Sequence, residues 1–143
     1  MNAKECLNRI RELERLIKTK MRLTELLRNS LSISAPAPDV EYVSGTRNVH
    51  AMEDKIDTLI DTEREIDALI DEQVNLKNTV VAAISRLNDP KEAIFLAEHF
   101  IGGKSTSELA KENEYSRRWV QKTIDRGITH LDLILQKEAA KVR

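Results

Sequence analysis

Residues 105–124, STSELAKENEYSRRWVQKTI, decide the fold that the sequence predicts. Ser105 and Glu108 have the spacing of a capping box, which predicts the start of a short helix that ends near Asn113. Ser116 is a further N-cap candidate, and it predicts the start of a second, longer helix. Two helices joined by so short a connection indicate a helix-turn-helix.

The apolar residues of this stretch fit that interpretation. Ala110 is the small residue that the first helix needs where it faces the second, and Val120 is the β-branched residue expected to be buried one turn into the second helix. Leu109 and Tyr115 are predicted to be further core contacts. The inward face of the second helix is predicted to continue through Ile124, Ile128 and Leu131.

The opposite face of the second helix is predicted to bind double-stranded DNA, with the recognition helix over residues 116–130 in the major groove. Arginine and lysine suit the edges of guanine, and glutamine suits adenine. Arg126 and the amides at the helix N-terminus are expected to hold phosphates. The predicted DNA-binding residues are Ser116, Arg117, Arg118, Gln121, Lys122 and Arg126, and Asp125 shares their face. The alternative is a small helical bundle whose basic face is only solvated.

A further helix precedes this pair. Asp89 is placed as an N-cap, Pro90 is the first helical residue, and Glu92 closes a capping box with Asp89. The helix is predicted to run to about Ile101, where Gly102-Gly103 ends it. Three capped helices in succession predict a trihelical DNA-binding domain over residues 89–143.

The N-terminal part predicts two long helices. Residues 1–31 form an amphipathic helix, and residues 50–88 form a coiled-coil-type helix of about five heptads, some 55 Å long. Residues 32–49, with Ala35-Pro36-Ala37-Pro38 and the turn signal Ser44-Gly45, are predicted to be a flexible linker. The predicted heptad stripe consists of Met52, Ile56, Leu59, Ile66, Ile70, Val80, Ile84 and Leu87.

The predicted fold is therefore all-α, with a long helical hairpin followed by the helix-turn-helix unit. An apolar stripe of this length must be covered. The first helix can fold back on it, and a second subunit can cover it too, so a homodimer through the long helices is expected.

Charge is distributed unevenly along the 143 residues, although the net charge is only −1. Residues 1–31 hold eight basic and four acidic residues, whereas residues 50–80 hold three basic and nine acidic ones. The stretch from Ser116 to Arg126 holds four basic residues against Asp125 alone, which favours nucleic acid as a partner.

No signal-peptide pattern or membrane-length apolar run is present, and Cys6 has no second cysteine to pair with. These features predict a protein of the cytoplasm.

Residues 107–120, SELAKENEYSRRWV, resemble the helix-turn-helix of region four of bacterial sigma factors. From Arg9 to Leu131 the chain resembles a family of small phage-encoded proteins of this type from Gram-positive bacteria. In that family an N-terminal helix and a linker precede an acidic segment, here residues 61–77, and then an Asp-Pro helix start. The resemblance implies a transcription regulator of late phage genes in a bacterial host, with RNA polymerase as a further candidate partner.

Three positions depart from the family pattern. Asn113-Glu114 stand where the turn usually has Leu-Gly, so a residue other than glycine is expected to carry a positive φ at a cost of about 1 kcal/mol. Thr123 occupies a usually apolar position. Gly127 lies in the middle of a helix, where it is expected to cost up to about 1 kcal/mol relative to alanine. Together they predict a softened or slightly rearranged recognition helix.

No residue pattern predicts an enzyme, a cofactor or a metal site. His50, His99 and His130 lack metal-ligand spacing, and the acidic residues Asp57, Asp61, Glu65 and Asp71 are expected to form a solvated face. Gly102-Gly103-Lys104-Ser105 lacks the first glycine of a phosphate-binding loop. Trp119 is expected to pack partly in the core, with a contact to the DNA backbone as the alternative.

Two other functions fit the same features. The small subunit of a phage terminase also combines a helix-turn-helix with helical oligomerisation, but it needs a ring. A protein-interaction module, such as an antirepressor, would use the acidic hairpin and would not bind DNA.

Overall fold

The computed structural model describes residues 2–33 and 45–142, and every regular element in these two ranges is helical. The all-α prediction is confirmed. The elements in these ranges are α1 (Ala3–Ile33), α2 (Gly45–Ile84), α3 (Pro90–Leu96), α4 (Thr106–Asn113) and α5 (Arg117–Val142). A π-helical turn, Ala97–Ile101, continues α3.

The predicted linker, 32–49, is wrong at both boundaries. Helix α1 extends to Ile33, and α2 already begins at Gly45, where the sequence predicted a turn. Because adding a residue to an existing helix is far easier than nucleating one, a weak turn signal does not stop a long helix. The rest of the predicted linker, residues 34–44, lies outside the described residues.

Helix α2 ends slightly before the predicted limit. Its last residue is Ile84, and beyond Ser85 the amides of Arg86 and Leu87 donate to carbonyls only three residues back, at 3.1 and 3.0 Å. This tighter geometry is common at helix C-termini. Asp89 then caps α3, because its side chain accepts a hydrogen bond from the Lys91 amide at 2.9 Å.

The chain divides into two compact units, Met1–Glu14 with Glu72–Arg143, and Arg15–Asp71. The first unit is larger than the predicted domain 89–143, because the start of α1 and the end of α2 share its core. Leu7 and Val80 are fully buried in the same cluster as Phe95. The Ala3 amide at the start of α1 donates to Oδ1 of Asp132 in α5 at 3.0 Å.

In the second unit, Arg15–Asp71, successive residues of α1 contact progressively earlier residues of α2. Lys20 Nζ donates to Glu65 Oε2 at 2.6 Å, Arg28 pairs with Glu63, and Lys55 Nζ donates to Ser30 Oγ at 3.1 Å. This order is that of an antiparallel pair of helices from one chain.

The predicted heptad stripe of α2 is not a single buried seam. Ile66, Val80 and Ile84 are buried, but Ile56 and Ile70 are 41% and 38% exposed. Successive apolar residues at four- and three-residue steps lie about 40° and 60° apart around a helix, so over several turns one list of them can contain two neighbouring stripes.

Candidate nucleic-acid interface

Local hydrogen bonds determine where α5 begins. Ser116 Oγ accepts from the Trp119 amide at 3.1 Å, and Ser105 Oγ accepts from the Glu108 amide at 3.1 Å at the start of α4. Both N-cap predictions are confirmed. Between the two helices the Tyr115 amide donates to the Ala110 carbonyl at 2.9 Å, which closes the end of α4 and turns the chain into α5.

The residue with positive φ in this turn is Glu114, at φ 60° and ψ 37°. The expectation that a non-glycine residue would adopt this conformation is confirmed. Its neighbour Asn113 is the last residue of α4, and Asn113 Nδ2 donates to the Leu109 carbonyl at 2.8 Å.

One side of α5 is anchored in the core of the first unit. Val120 is fully buried there together with Leu109, and Ala110 is 6% exposed. Thr123 is also buried, and its Oγ1 donates to the Trp119 carbonyl at 2.8 Å, so its hydroxyl is hydrogen-bonded within the helix. Threonine can therefore occupy a position that was expected to be apolar.

The opposite side of the first turns of α5 is exposed. We call Arg117, Arg118, Gln121 and Lys122 the basic face; all four are exposed. They lie within an arc of about 140° around the helix axis, because each residue advances the helix by about 100°. Asp125 is exposed within the same arc, and its Oδ1 accepts from Gln121 Nε2 at 2.9 Å.

Arg126 is not part of the basic face, although the sequence placed it among the DNA-binding residues. Its Nε donates to Glu92 Oε1 at 2.9 Å, and its Nη2 lies 3.7 Å from Asp89 Oδ2. The Glu92 carboxylate is buried and also contacts His130 Nδ1 at 2.8 Å. The guanidinium therefore compensates a buried charge of α3, and the capping-box role predicted for Glu92 is wrong.

An aromatic stack lies beside the N-terminus of α5. The rings of Tyr115 and Trp119 stack with centroids 4.1 Å apart, and Phe95 meets both edge-on. Lys91 Nζ lies 5.3 Å from each of the two stacked rings, a contact that the sequence did not indicate. Trp119 is half-buried, as expected, and Tyr115 makes the predicted core contact, with Phe95, although Tyr115 itself is 38% exposed.

Of the other residues singled out in the sequence, the acidic residues of α2 are exposed, as expected of a solvated face: Asp57, Asp61, Glu65 and Asp71. His99 Nδ1 lies 2.6 Å from the Lys104 carbonyl, and Gly103, at φ 77°, ends the helical segment. No group of histidine, cysteine or carboxylate residues in the described ranges is arranged to hold a metal ion.

Within the described ranges, no helix has both the length and the apolar character that crossing a membrane requires. Comparison of the chain with protein-family models, with curated proteins and with solved structures finds no match in any of the three.

Proposed function

We propose that the chain is a sequence-specific DNA-binding transcription regulator that inserts the N-terminal turns of α5 into a major groove. One observation carries the proposal. The basic face is exposed on a helix whose other side is fixed in a core, at Val120 and Thr123 among others. A rigid helix with one basic, solvent-exposed side is what major-groove recognition requires.

The side chains of the basic face divide into two chemical types. Arg117, Arg118 and Lys122 supply donors for guanine edges or for phosphates. Gln121 can pair with adenine, but its amide is bound to Asp125, so base contact requires that this intrahelical hydrogen bond break. Arg126 has no role in this proposal, because its guanidinium is bound to Glu92.

The wider biological setting follows from the resemblance to sigma region four. We propose a regulator of late phage genes that acts in the cytoplasm of a bacterial host as a homodimer, with RNA polymerase as a candidate contact. No step of this proposal involves catalysis. A dimer places two copies of α5 on one DNA, which raises affinity beyond what three cations on one copy supply.

The test is selection of the full chain on a library of random-sequence DNA duplexes, followed by fluorescence anisotropy on the enriched duplex. We expect a defined motif, and we expect the Arg117→Ala/Arg118→Ala double variant to lose specific binding. A matched control is Lys137→Ala/Lys141→Ala, which removes two exposed positive charges from the distal part of the same helix. This control should retain both the motif and most of the affinity.

Two results would overturn the proposal. The first is a double variant that is as folded as the wild type by circular dichroism and binds the duplex equally well. The second is the absence of any enriched motif with binding that does not change with salt concentration, since phosphate contacts make DNA binding salt-dependent. The latter result would favour a protein-interaction module.

A further inference from the structure

Helix α2 carries a second stripe beside the one that faces α1. In the unit Arg15–Asp71, we call Ile56, Ile60, Glu63, Asp67 and Ile70 the lateral stripe; its members follow one another at steps of four, three, four and three residues. Ile56, Ile60 and Ile70 are 41%, 42% and 38% exposed, whereas Ile66 on the neighbouring side is buried. Three isoleucines at heptad spacing on an exposed helical face are typical of a helix-pairing surface.

The lateral stripe has a symmetry that identifies its partner. From Ile60 to Ile70 the steps are three, four and three, so the pattern is the same in both directions along the helix. A two-fold axis that reverses a second copy of α2 places Ile60 opposite the partner's isoleucine 70 and Glu63 opposite its aspartate 67. Self-complementarity of this kind is what an isologous dimer interface requires.

Charge favours the antiparallel over the parallel arrangement. Arg28 of α1 pairs with Glu63 in the middle of the lateral stripe, and both side chains are partly exposed. In an antiparallel dimer each Arg28–Glu63 pair meets one Asp67 of the other copy, so every Asp67 has a cation beside it. In a parallel dimer the two copies of Asp67 would face each other instead, and like charges at one level repel.

We infer that a second copy of this chain packs antiparallel on the lateral stripe, with Ile60 against Ile70 and Arg28 between Glu63 and Asp67 of the two copies. This inference rests on the homodimer in the proposed function and adds its surface and its orientation. It does not depend on DNA binding. The dimer it describes is a bundle of four long helices, two from each copy.

Disulfide cross-linking tests the orientation. In a Cys6→Ala background, Ile60→Cys and Ile70→Cys chains are produced separately and by coexpression, and are oxidised before denaturing electrophoresis without reductant. We expect a covalent dimer from the coexpressed pair and little from either variant alone. Covalent dimers from each variant alone, with no gain on coexpression, would show a parallel interface and overturn the inference.

Sedimentation equilibrium tests the surface. Ile60→Asp and Ile70→Asp should each raise the dimer dissociation constant at least about tenfold, because each places an unpaired charge in an apolar contact. Met21→Asp is the matched control, since Met21 is an exposed apolar residue of α1 outside the lateral stripe. Equal effects of all three variants would overturn the assignment of the surface.

The same experiments separate this inference from the proposed function. A wild-type chain that sediments as a monomer would overturn both the homodimer and the lateral stripe as its interface. A dimer that forms through another surface would overturn only the inference drawn here. Loss of DNA binding in the Arg117→Ala/Arg118→Ala variant, measured on its own, bears on the proposed function alone.

Discussion

Gly127 of α5 lies so close to Leu96 of α3 that a Cβ atom at position 127 would be 3.0 Å from Leu96 Cδ1. The same atom would lie 3.2 Å from the Cβ of Glu92. Gly127 therefore lies where α3 packs closely against α5, a packing role that the sequence did not indicate. Glycine's cost in helix propensity is offset by the packing that the missing side chain allows.

We predict that Gly127→Ala destabilises the protein by about 1 kcal/mol. Alanine gains about 1 kcal/mol in helix propensity, but overpacking of a tight core costs about 1–3 kcal/mol. The measurement is the free energy of unfolding from urea denaturation followed by circular dichroism. Leu96→Ala provides the control, because it makes room beside position 127; Gly127→Ala should be neutral or stabilising in that background. A single variant more stable than the wild type would contradict the prediction.

Glu114 has a left-handed backbone conformation, so introducing glycine there should raise the stability of the fold, whereas removing glycine at position 127 should lower it. Glycine adopts φ near 60° without the steric cost that other residues incur, so Glu114→Gly should stabilise the fold by about 0.5–1 kcal/mol. Thermal unfolding measures the effect. Lys111→Gly is the matched control, since Lys111 is exposed and helical, and there glycine should destabilise by about 1 kcal/mol. The same sign for both variants would disprove the explanation.

The features that the sequence predicted correctly depend on short stretches of chain. The caps at Asp89, Ser105 and Ser116 each join residues two or three positions apart, and Val120 follows from helical periodicity. Each can therefore be inferred from the local pattern alone. The same holds for the exposure of the basic face, which follows once the buried side of α5 is known.

The features that it missed depend on contacts between residues far apart in the chain. Arginine commonly contacts phosphates, which is why the sequence predicted that role for Arg126, but its partner Glu92 lies 34 residues away in the chain. The space beside Gly127 is filled from α3, which a pattern within α5 does not indicate. Which residues of the predicted α2 stripe are buried and which are exposed likewise depends on the side of α2 that α1 covers. Periodicity identifies the apolar side of a helix but not the element that covers it.

The role of Arg126 can be separated from that of the basic face. Arg126→Ala leaves the buried Glu92 carboxylate with His130 as its remaining side-chain partner, and we expect a loss of about 1–3 kcal/mol in the free energy of unfolding. Arg118→Ala should change stability by less than about 0.5 kcal/mol, because Arg118 is exposed. Denaturant unfolding compares the two. An Arg126→Ala protein as stable as the wild type would argue against the ion pair.

His99 is expected to make stability depend on pH. Its burial lowers the pKa of the imidazole below the ordinary value of 6.5, and the nearby Arg11 guanidinium, 3.1 Å from Nε2, adds to that effect. Below pH 6.5 the unfolded chain therefore binds a proton that the folded chain resists, so this contribution to stability is present above that pH and is lost as the pH falls.

His99→Gln provides the comparison for this prediction. We expect the difference in unfolding free energy between the wild type and this variant to be larger at about pH 7.5 than at about pH 5.5. NMR titration of the His99 ring protons gives an independent check. A difference that stays constant with pH, or grows in acid, would contradict the assignment.

Asp125 provides the most direct test of the chemistry proposed for the basic face. Its carboxylate is exposed beside three cations and binds the Gln121 amide, so it both repels phosphates and restrains a base-reading side chain. Asp125→Asn removes the charge, and we expect DNA affinity to rise about 3- to 10-fold at low salt, with a smaller gain at high salt because screening weakens the repulsion.

The control is Asp132→Asn, which makes the same change farther along α5. It should leave DNA affinity unchanged, although it weakens the contact with the Ala3 amide. Fluorescence anisotropy across a salt series measures both. If the two variants behave alike, the first turns of α5 do not face the DNA.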